Sequence, residues 1–264
     1  MDNFHSDVKA DIGIMGGSGF YSFLKDIKEV DLDTPYGKPS DKISVAQYKN
    51  IKVAFLPRHG RNHSIPPHLI NYRANIYAMH MLGVKCIIGP TASGSLKPSI
   101  KPGDFVIRDQ FIDRTTNRKD TFFEGPKVEH ISAAYPYCPK LCQIACESAL
   151  RCGVTVHKNG TIVIIQGPRF STFAESRWYS KMGWDVINMT NYPECILAKE
   201  LGICYANISL ITDYDAGLEG RDDIKPVTNE EVLKVFEKNN EVLKKVLFDM
   251  MEHIDLDSDC SCCK

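Results

Sequence analysis

What this chain of 264 residues has least of is net charge: 32 Lys and Arg stand against 33 Asp and Glu, for a formal charge of −1 at pH 7. Such a balance offers no field for nucleic acid or an anionic membrane, so neither is an expected partner and any anion must be held by local geometry. Long apolar runs are missing too. Nothing approaches the roughly 20 residues that span a bilayer, and no membrane association is expected. The opening Met1 to Asp7 has no basic segment leading into an apolar one, so no secretory leader is expected and the chain reads as cytoplasmic. There is no internal repeat, low-complexity tract or Gly/Ser linker. The glycine-rich loop near the start fits neither G-x-G-x-x-G nor a Walker A loop closed by Gly-Lys-Ser/Thr. A dinucleotide-binding dehydrogenase and a nucleoside triphosphate cradle are thereby excluded.

Ten cysteines are present. Cys138, Cys142 and Cys146 fall four apart, as one stripe of a helix, and read as small buried apolar residues. Cys260, Cys262 and Cys263 crowd the tail without the paired C-x₂₋₄-C or Cys/His partners of a zinc site. A disulfide is expected there, within the tail or to Cys195, Cys204 or another cysteine.

Strand-like apolar runs occur at 12–15, 53–56, 86–88, 105–107, 161–165, 186–189 and 203–211. Helical patterns lie between them, one that follows Pro66-Pro67 and ends at Gly83, with proline at the start and glycine at the stop, then others at 140–151, 174–182 and 193–201. A final helix opens on the capping box Thr228-x-x-Glu231 and carries Val232, Val235, Phe236, Val242, Leu243, Val246 and Leu247 on one face. Strands alternating with helices predict one α/β domain over 1–264, a mixed central β-sheet flanked by helices, with a Cys-rich tail from about 255.

Chemistry gathers where the strands end. Gly13-Ile-Met-Gly-Gly-Ser18-Gly19 offers close backbone approach to an anion and a hydroxyl. Arg58 and His59 follow the second run, and a guanidinium fork suits phosphate oxygens. Thr91 and Ala92 follow the third. Each has a plainer explanation as turn or surface, but three successive strand ends with anion donors read together as a site for inorganic phosphate. Phe170 and Ser171 follow another strand, and Met189 and Thr190 another. Phe170 can lie against a flat base, Met189 against a sugar, and Thr190 can bond a hydroxyl or phosphate. Asp213 and Asp215 close the last strand, where open α/β sheets bind ligands. Two solvated turn aspartates are the plain alternative. One carboxyl can offer a proton to a ring nitrogen while its neighbour accepts from an exocyclic amine, as a 6-aminopurine requires.

The strings GIMGGSGF, TPYGKPSD, LPRHGRNHSIPP, NYRANI, PGDFVIRDQFIDRT, GPRFSTFAES, NMTNYPE and ICYANISLITDYD, in that order, resemble the trimeric-type purine nucleoside phosphorylases from about residue 12 to about 247. The resemblance implies a nucleoside phosphorylase fold, with phosphate bound by Ser18, Arg58, His59, Thr91, Ala92 and Thr190. It places ribose against Met189, and adenine beside Phe170, Ser171, Asp213 and Asp215, the two aspartates being catalytic. Relatives acting on 6-oxopurines have Glu at Ser171 and Asn at Asp213, so the implied reaction is phosphorolysis of S-methyl-5′-thioadenosine, with adenosine as a further substrate. The products would be adenine and S-methyl-5-thioribose 1-phosphate. Ser18 departs from the threonine common at its position, and Asn191-Tyr192 from the usual pair before Pro193-Glu194. An apolar 5′ pocket is expected from Val232 and Leu233, bordered by His63. The resemblance adds His130 from a neighbouring subunit, hence a trimer or dimer of trimers. No cofactor is implied beyond phosphate as co-substrate. A 6-oxopurine nucleoside phosphorylase and a catalytically silent nucleoside-binding protein stand as alternatives.

Overall fold

The apolar runs condense into one sheet because they are buried on both faces. In β1 (Ile12–Gly16), Ile12 and Ile14 face one core while Met15 faces the other, the two-residue alternation of a strand covered on both sides. The structure, a computed structural model, describes residues 6–16, 26–218, 221, 223–257, 260 and 262. Its further strands are β2 (Lys28–Val30), β3 (Ile43–Tyr48), β4 (Ile51–Pro57), β5 (Cys86–Ser95), β6 (Phe105–Arg114), β7 (Val156–Ile165), β8 (Val186–Asn188) and β9 (Cys204–Asp213). They pair in the order β2-β3-β4-β1-β5-β8-β7-β6-β9, and β9 pairs back onto β5. Five strands thus close into a ring, and β4, β1, β5 and β9 run parallel, with their carboxyl ends at one side.

Helices cover both faces. One side packs α2 (Pro139–Arg151) and α5 (Asn229–His253), with Leu141, Ala145, Leu243 and Val246 against Ile12, Phe55, Ile88 and Ile208. The other packs α1 (Tyr72–Met81) and α4 (Asn191–Glu200), with Ile76, Met79 and Leu197 against Met15, Leu56 and Ile87. Short α3 (Phe173–Lys181) presses Tyr179 onto Leu96, Val163 and Ile187. Among the described residues, no helix is long and apolar enough to cross a membrane.

Some sequence expectations need correction. The helix expected after Pro66-Pro67 starts later: Pro67–Leu69 is a 3₁₀ turn, and α1 starts at Tyr72, capped by the Asn71 side chain accepting from the Ala74 N–H. The strand read as 86–88 continues to Ser95, carrying Thr91 and Ala92 inside it. Two antiparallel strands, β2 and β3, come from stretches whose apolar content is too broken to read. The α5 capping box forms as expected, but only the later part of that helix, from Leu243 on, is buried.

Candidate active site

Buried pairing fixes Arg58 where β4 ends. Its Nε and Nη2 donate to the two carboxylate oxygens of Glu194 on α4, at 2.6 and 3.0 Å. Nη1 donates to the Pro90 carbonyl at 2.9 Å, and Nη2 also donates to that of Met15. Four of its five N–H donors are thereby committed. The Glu194 charge holds the guanidinium pKa above its usual value against the opposing effect of burial. Tyr205 completes the pair, donating its hydroxyl to Glu194 at 2.8 Å. The guanidinium fork read from the sequence as suited to phosphate is thus largely occupied by protein partners. Its charge is neutralised by Glu194, and it ties together the ends of β1 and β4, the middle of β5 and the start of α4.

His59 follows, with Nδ1 2.9 Å from the Ile65 carbonyl and its ring stacked on His63 at 4.6 Å. Burial, together with the charges of Arg58 and His63, pushes its pKa down to about 4. At neutral pH the ring is therefore uncharged, Nδ1–H donates to Ile65, and Nε2 is an acceptor rather than the donor first expected.

In the middle of β5, Ala92 is the one residue not buried. The Thr91 hydroxyl instead meets Ser209 Oγ at 2.9 Å and accepts from Asn207 Nδ2 at 3.2 Å. Ser93 joins this interior network through Ser209 at 2.8 Å and accepts from Arg108 Nη2 at 3.1 Å. Arg108 Nε and Nη1 have no hydrogen-bond partner among the described residues, and burial lowers that side chain's pKa to about 9. Asn188 Nδ2 donates to the Ala92 carbonyl at 3.2 Å, while its Oδ1 accepts from the Thr190 and Asn191 N–H groups at 2.7 and 2.9 Å. Arg58, Thr91, Ala92 and Thr190 are thus brought to one place.

Two residues on, Gly94 pairs with Asp213 across a bulge between β5 and β9. A Cβ at Gly94 would stand 2.7 Å from Asp213 Oδ1, so only glycine leaves the carboxylate its position. That carboxylate accepts from the Thr212 hydroxyl and from the Asp215 N–H, both at 2.7 Å. Burial nevertheless raises its pKa to about 6. Asp215 is buried with φ +52°, and burial raises its pKa, opposed by the hydroxyls of Ser176 and Ser171. Asp215 Oδ2 and Ser171 Oγ are both buried, and neither makes a regular hydrogen bond among the described residues. Half-exposed Phe170 adjoins Ser171.

Met189 is held by its backbone: its carbonyl accepts from Arg118 Nη2 at 2.8 Å, as does that of Gln166 at 3.0 Å. Gly167, at φ +64°, abuts the Met189 side chain so closely that a Cβ would stand 2.6 Å from its sulfur. Val227 N–H donates to the Asp215 carbonyl at 2.8 Å. The start of α5 therefore lies beside the aspartates, with Val232 half-buried and Leu233 exposed. His130 is on an exposed loop, and Ser18 lies outside the described residues.

Glu194, Asn188, Arg118 and Gly94 were not read from the sequence as parts of this site. Their partners lie far along the chain, and only the Pro-Glu after Tyr192 hinted at one of them. The tail disulfide also needs revising. Cys260 and Cys262 sulfurs are 3.2 Å apart, and their other sulfur contacts are to Cys138 and Cys204 at 3.6 and 3.5 Å, not to Cys195. Cys263 lies outside the described residues.

Comparison with known proteins agrees with this architecture. The Phosphorylase superfamily pattern matches residues 11–252. The chain is 52% identical to an S-methyl-5′-thioadenosine phosphorylase of Nitrosopumilus maritimus over 96% of its own length and 95% of the relative's. Its fold is similar to the crystal structure of a methylthioadenosine phosphorylase from an antarctic soil metagenomic library, with TM-score 0.89 and 39% identity over 96% of this chain and 90% of that one. A mutant adenosine/methylthioadenosine phosphorylase of Schistosoma mansoni, solved in complex with methylthioadenosine, matches with TM-score 0.86 and 35% identity over 94% and 93% of the two chains.

Proposed function

This chain belongs to the phosphorylase superfamily, and from that premise we propose that it cleaves S-methyl-5′-thioadenosine with inorganic phosphate, giving adenine and S-methyl-5-thioribose 1-phosphate. The observation that carries the choice of base is Asp213, a carboxyl with its pKa raised to about 6, beside the buried Asp215 and the buried hydroxyl oxygen of Ser171. An asparagine amide cannot supply a proton to N7; a carboxyl poised near neutrality can.

Phosphate and base are laid out along β5. Ala92 and Gly94 share one face of the strand, roughly 7 Å apart, which is room for a ribose between an anion at Thr91–Ala92–Thr190 and a purine at Asp213. Phe170 covers the base, Met189 backs the sugar, and Ser171 and Asp215 use their uncommitted oxygens on the purine edge. Breaking the C1′–N9 bond leaves positive charge on the sugar and negative charge on the purine. Asp213 shares its proton with N7, a contribution of about 10²–10⁴-fold. Phosphate, its hydroxyl donating to His59 Nε2, stabilises the oxocarbenium-like sugar and then bonds to C1′, mainly an effect of positioning. Ser18 completes the anion site. Val232, Leu233 and His63 border the methylthio group, with His130 reaching in from a neighbouring subunit. No metal or organic cofactor enters these steps.

The test is free-base release from methylthioadenosine, adenosine, inosine and guanosine, with and without phosphate. Strictly phosphate-dependent release of adenine is expected, with methylthioadenosine favoured over adenosine by about 10–200-fold for one apolar group in a dry pocket. Faster release of hypoxanthine than of adenine would overturn the reading.

A further inference from the structure

The tail cysteines meet two cysteines of the fold on the side of the sheet opposite the strand ends just described. Cys138 is the N-cap residue of α2, Cys204 opens β9, and Cys260 and Cys262 arrive from beyond α5. Their sulfurs contact one another at 3.2, 3.5 and 3.6 Å, and all four lie within 4.8 Å of one another. A disulfide requires about 2.05 Å. Four sulfurs each about 2.3 Å from a common centre form a tetrahedron with edges of about 3.8 Å, the geometry of a zinc tetrathiolate. We propose that Cys138, Cys204, Cys260 and Cys262 form a structural site for one soft divalent metal ion, Zn²⁺ in the first instance.

Packing alone does not account for the arrangement. A thiol is a weak donor and a weak acceptor, so four of them gathered from three separate segments gain little from each other. As thiolates around an ion, all four gain a strong bond. Each Sγ–H then releases its proton to solvent, sulfur and metal keep their oxidation states, and the filled site carries a charge of −2.

Lysines hold the tail at this site. Lys199 Nζ donates to the Cys262 carbonyl at 2.5 Å and to that of Tyr135 at 3.1 Å. Lys85 Nζ donates to the Leu256 carbonyl at 2.8 Å, holding the approach of the tail. A cleft of about 990 Å³, lined by Lys9, Lys85 and Lys140 and also by Glu147, Asp255 and Asp257, reaches Cys138, Cys204 and Cys260 and supplies the entry path such a site needs. With four protein ligands the coordination is closed, which marks a structural rather than a catalytic ion. Its work is to clamp the end of the chain onto the first residue of β9.

The test starts from the full-length chain, reduced and stripped of metal, and titrated with Co²⁺. Thiolate-to-cobalt charge transfer and the visible bands of tetrahedral Co²⁺ are expected, saturating at one ion per chain and displaced by Zn²⁺. Protein purified from zinc-supplemented cells should hold one zinc per chain by elemental mass spectrometry. The Cys260→Ser/Cys262→Ser variant should hold none and melt several degrees lower, with unchanged turnover of methylthioadenosine. Equal zinc in both proteins overturns the proposal. So does a Co²⁺ titration without tetrahedral bands, or an unreduced wild-type mass lower by four hydrogens with all four sulfurs shielded from alkylation. Should the variant fail to fold, the wild-type titration and mass decide alone. Neither measurement uses the nucleoside reaction, so it and the proposed activity stand or fall separately.

Discussion

Replacing Asp213 by Asn separates two demands placed on one side chain. As a proton donor it should be indispensable, and Asp213→Asn is expected to lose about 10²–10⁴-fold in kcat on methylthioadenosine. The same change should stabilise the fold at neutral pH. The unfolded carboxyl ionises near 3.8 and the folded one near 6. Well below pH 3.8 both are protonated and no cost arises; the cost grows as pH rises from about 3.8 to about 6 and is complete above that. At about 1.4 kcal/mol per unit it is at most about 3 kcal/mol. A urea midpoint that rises in the variant at pH 7 but not at about pH 3, together with lost turnover, is the expected pair of results. Unchanged turnover would remove Asp213 from the chemistry. Glu194→Gln is expected to act the other way, costing about 3–5 kcal/mol by leaving Arg58 buried without its charge partner, and denaturant unfolding measures it. Asp213, Asp215 and Ser171 were legible because local sequence alone sets their place at a strand or loop end. Glu194 was not, since the guanidinium that gives it meaning lies 136 residues away.

Start and stop signals read best at the scale of elements. The Thr228 capping box is present with both of its reciprocal bonds, because all its partners lie within one turn. Thr228→Ala should cost about 1 kcal/mol of stability. Because Val227 is bonded to Asp215, the frayed turn should also raise KM for methylthioadenosine more than it lowers kcat. Steady-state kinetics on the variant checks this, and an unchanged KM would uncouple that helix from the nucleoside. Strand β5 was read only in part, as 86–88. Gly89, Pro90 and Gly94 look like punctuation, and Thr91, Ser93 and Ser95 look like loop. They lie instead in a buried strand, where hydroxyls and an amide satisfy one another across β5 and β9. Local propensity carries no record of a polar ladder whose other half is more than a hundred residues distant.

For the whole molecule, several large apolar side chains, including Leu69, Val128, Tyr135, Phe173 and Leu233, stand exposed in the single chain. The first half of α5 also leaves Val232 and Phe236 only half-covered. Association would cover such surface, and the proposed oligomer would bring a partner's His130 to the 5′ pocket. Active enzyme is expected to sediment at three or six times the chain mass of 29.7 kDa. His130→Ala should raise KM for methylthioadenosine while leaving that for phosphate unchanged. A fully active monomer would defeat both expectations.

The ring of β5, β8, β7, β6 and β9 decides how such assembly can occur. A strand enclosed in a ring has neighbours on both sides, so among the described strands the sheet ends only at β2. That border is three residues long and carries Lys28 and Glu29 exposed, a short and charged margin that disfavours pairing with a second sheet. Among the described strands, then, the ends of the sheet offer a second subunit, or a misfolding neighbour, only that poor margin for backbone pairing. Growth into an open-ended fibril by strand addition is disfavoured at that edge, which leaves side-chain surfaces, whose contacts can complete a finite symmetric assembly, as the better route to a higher-order particle.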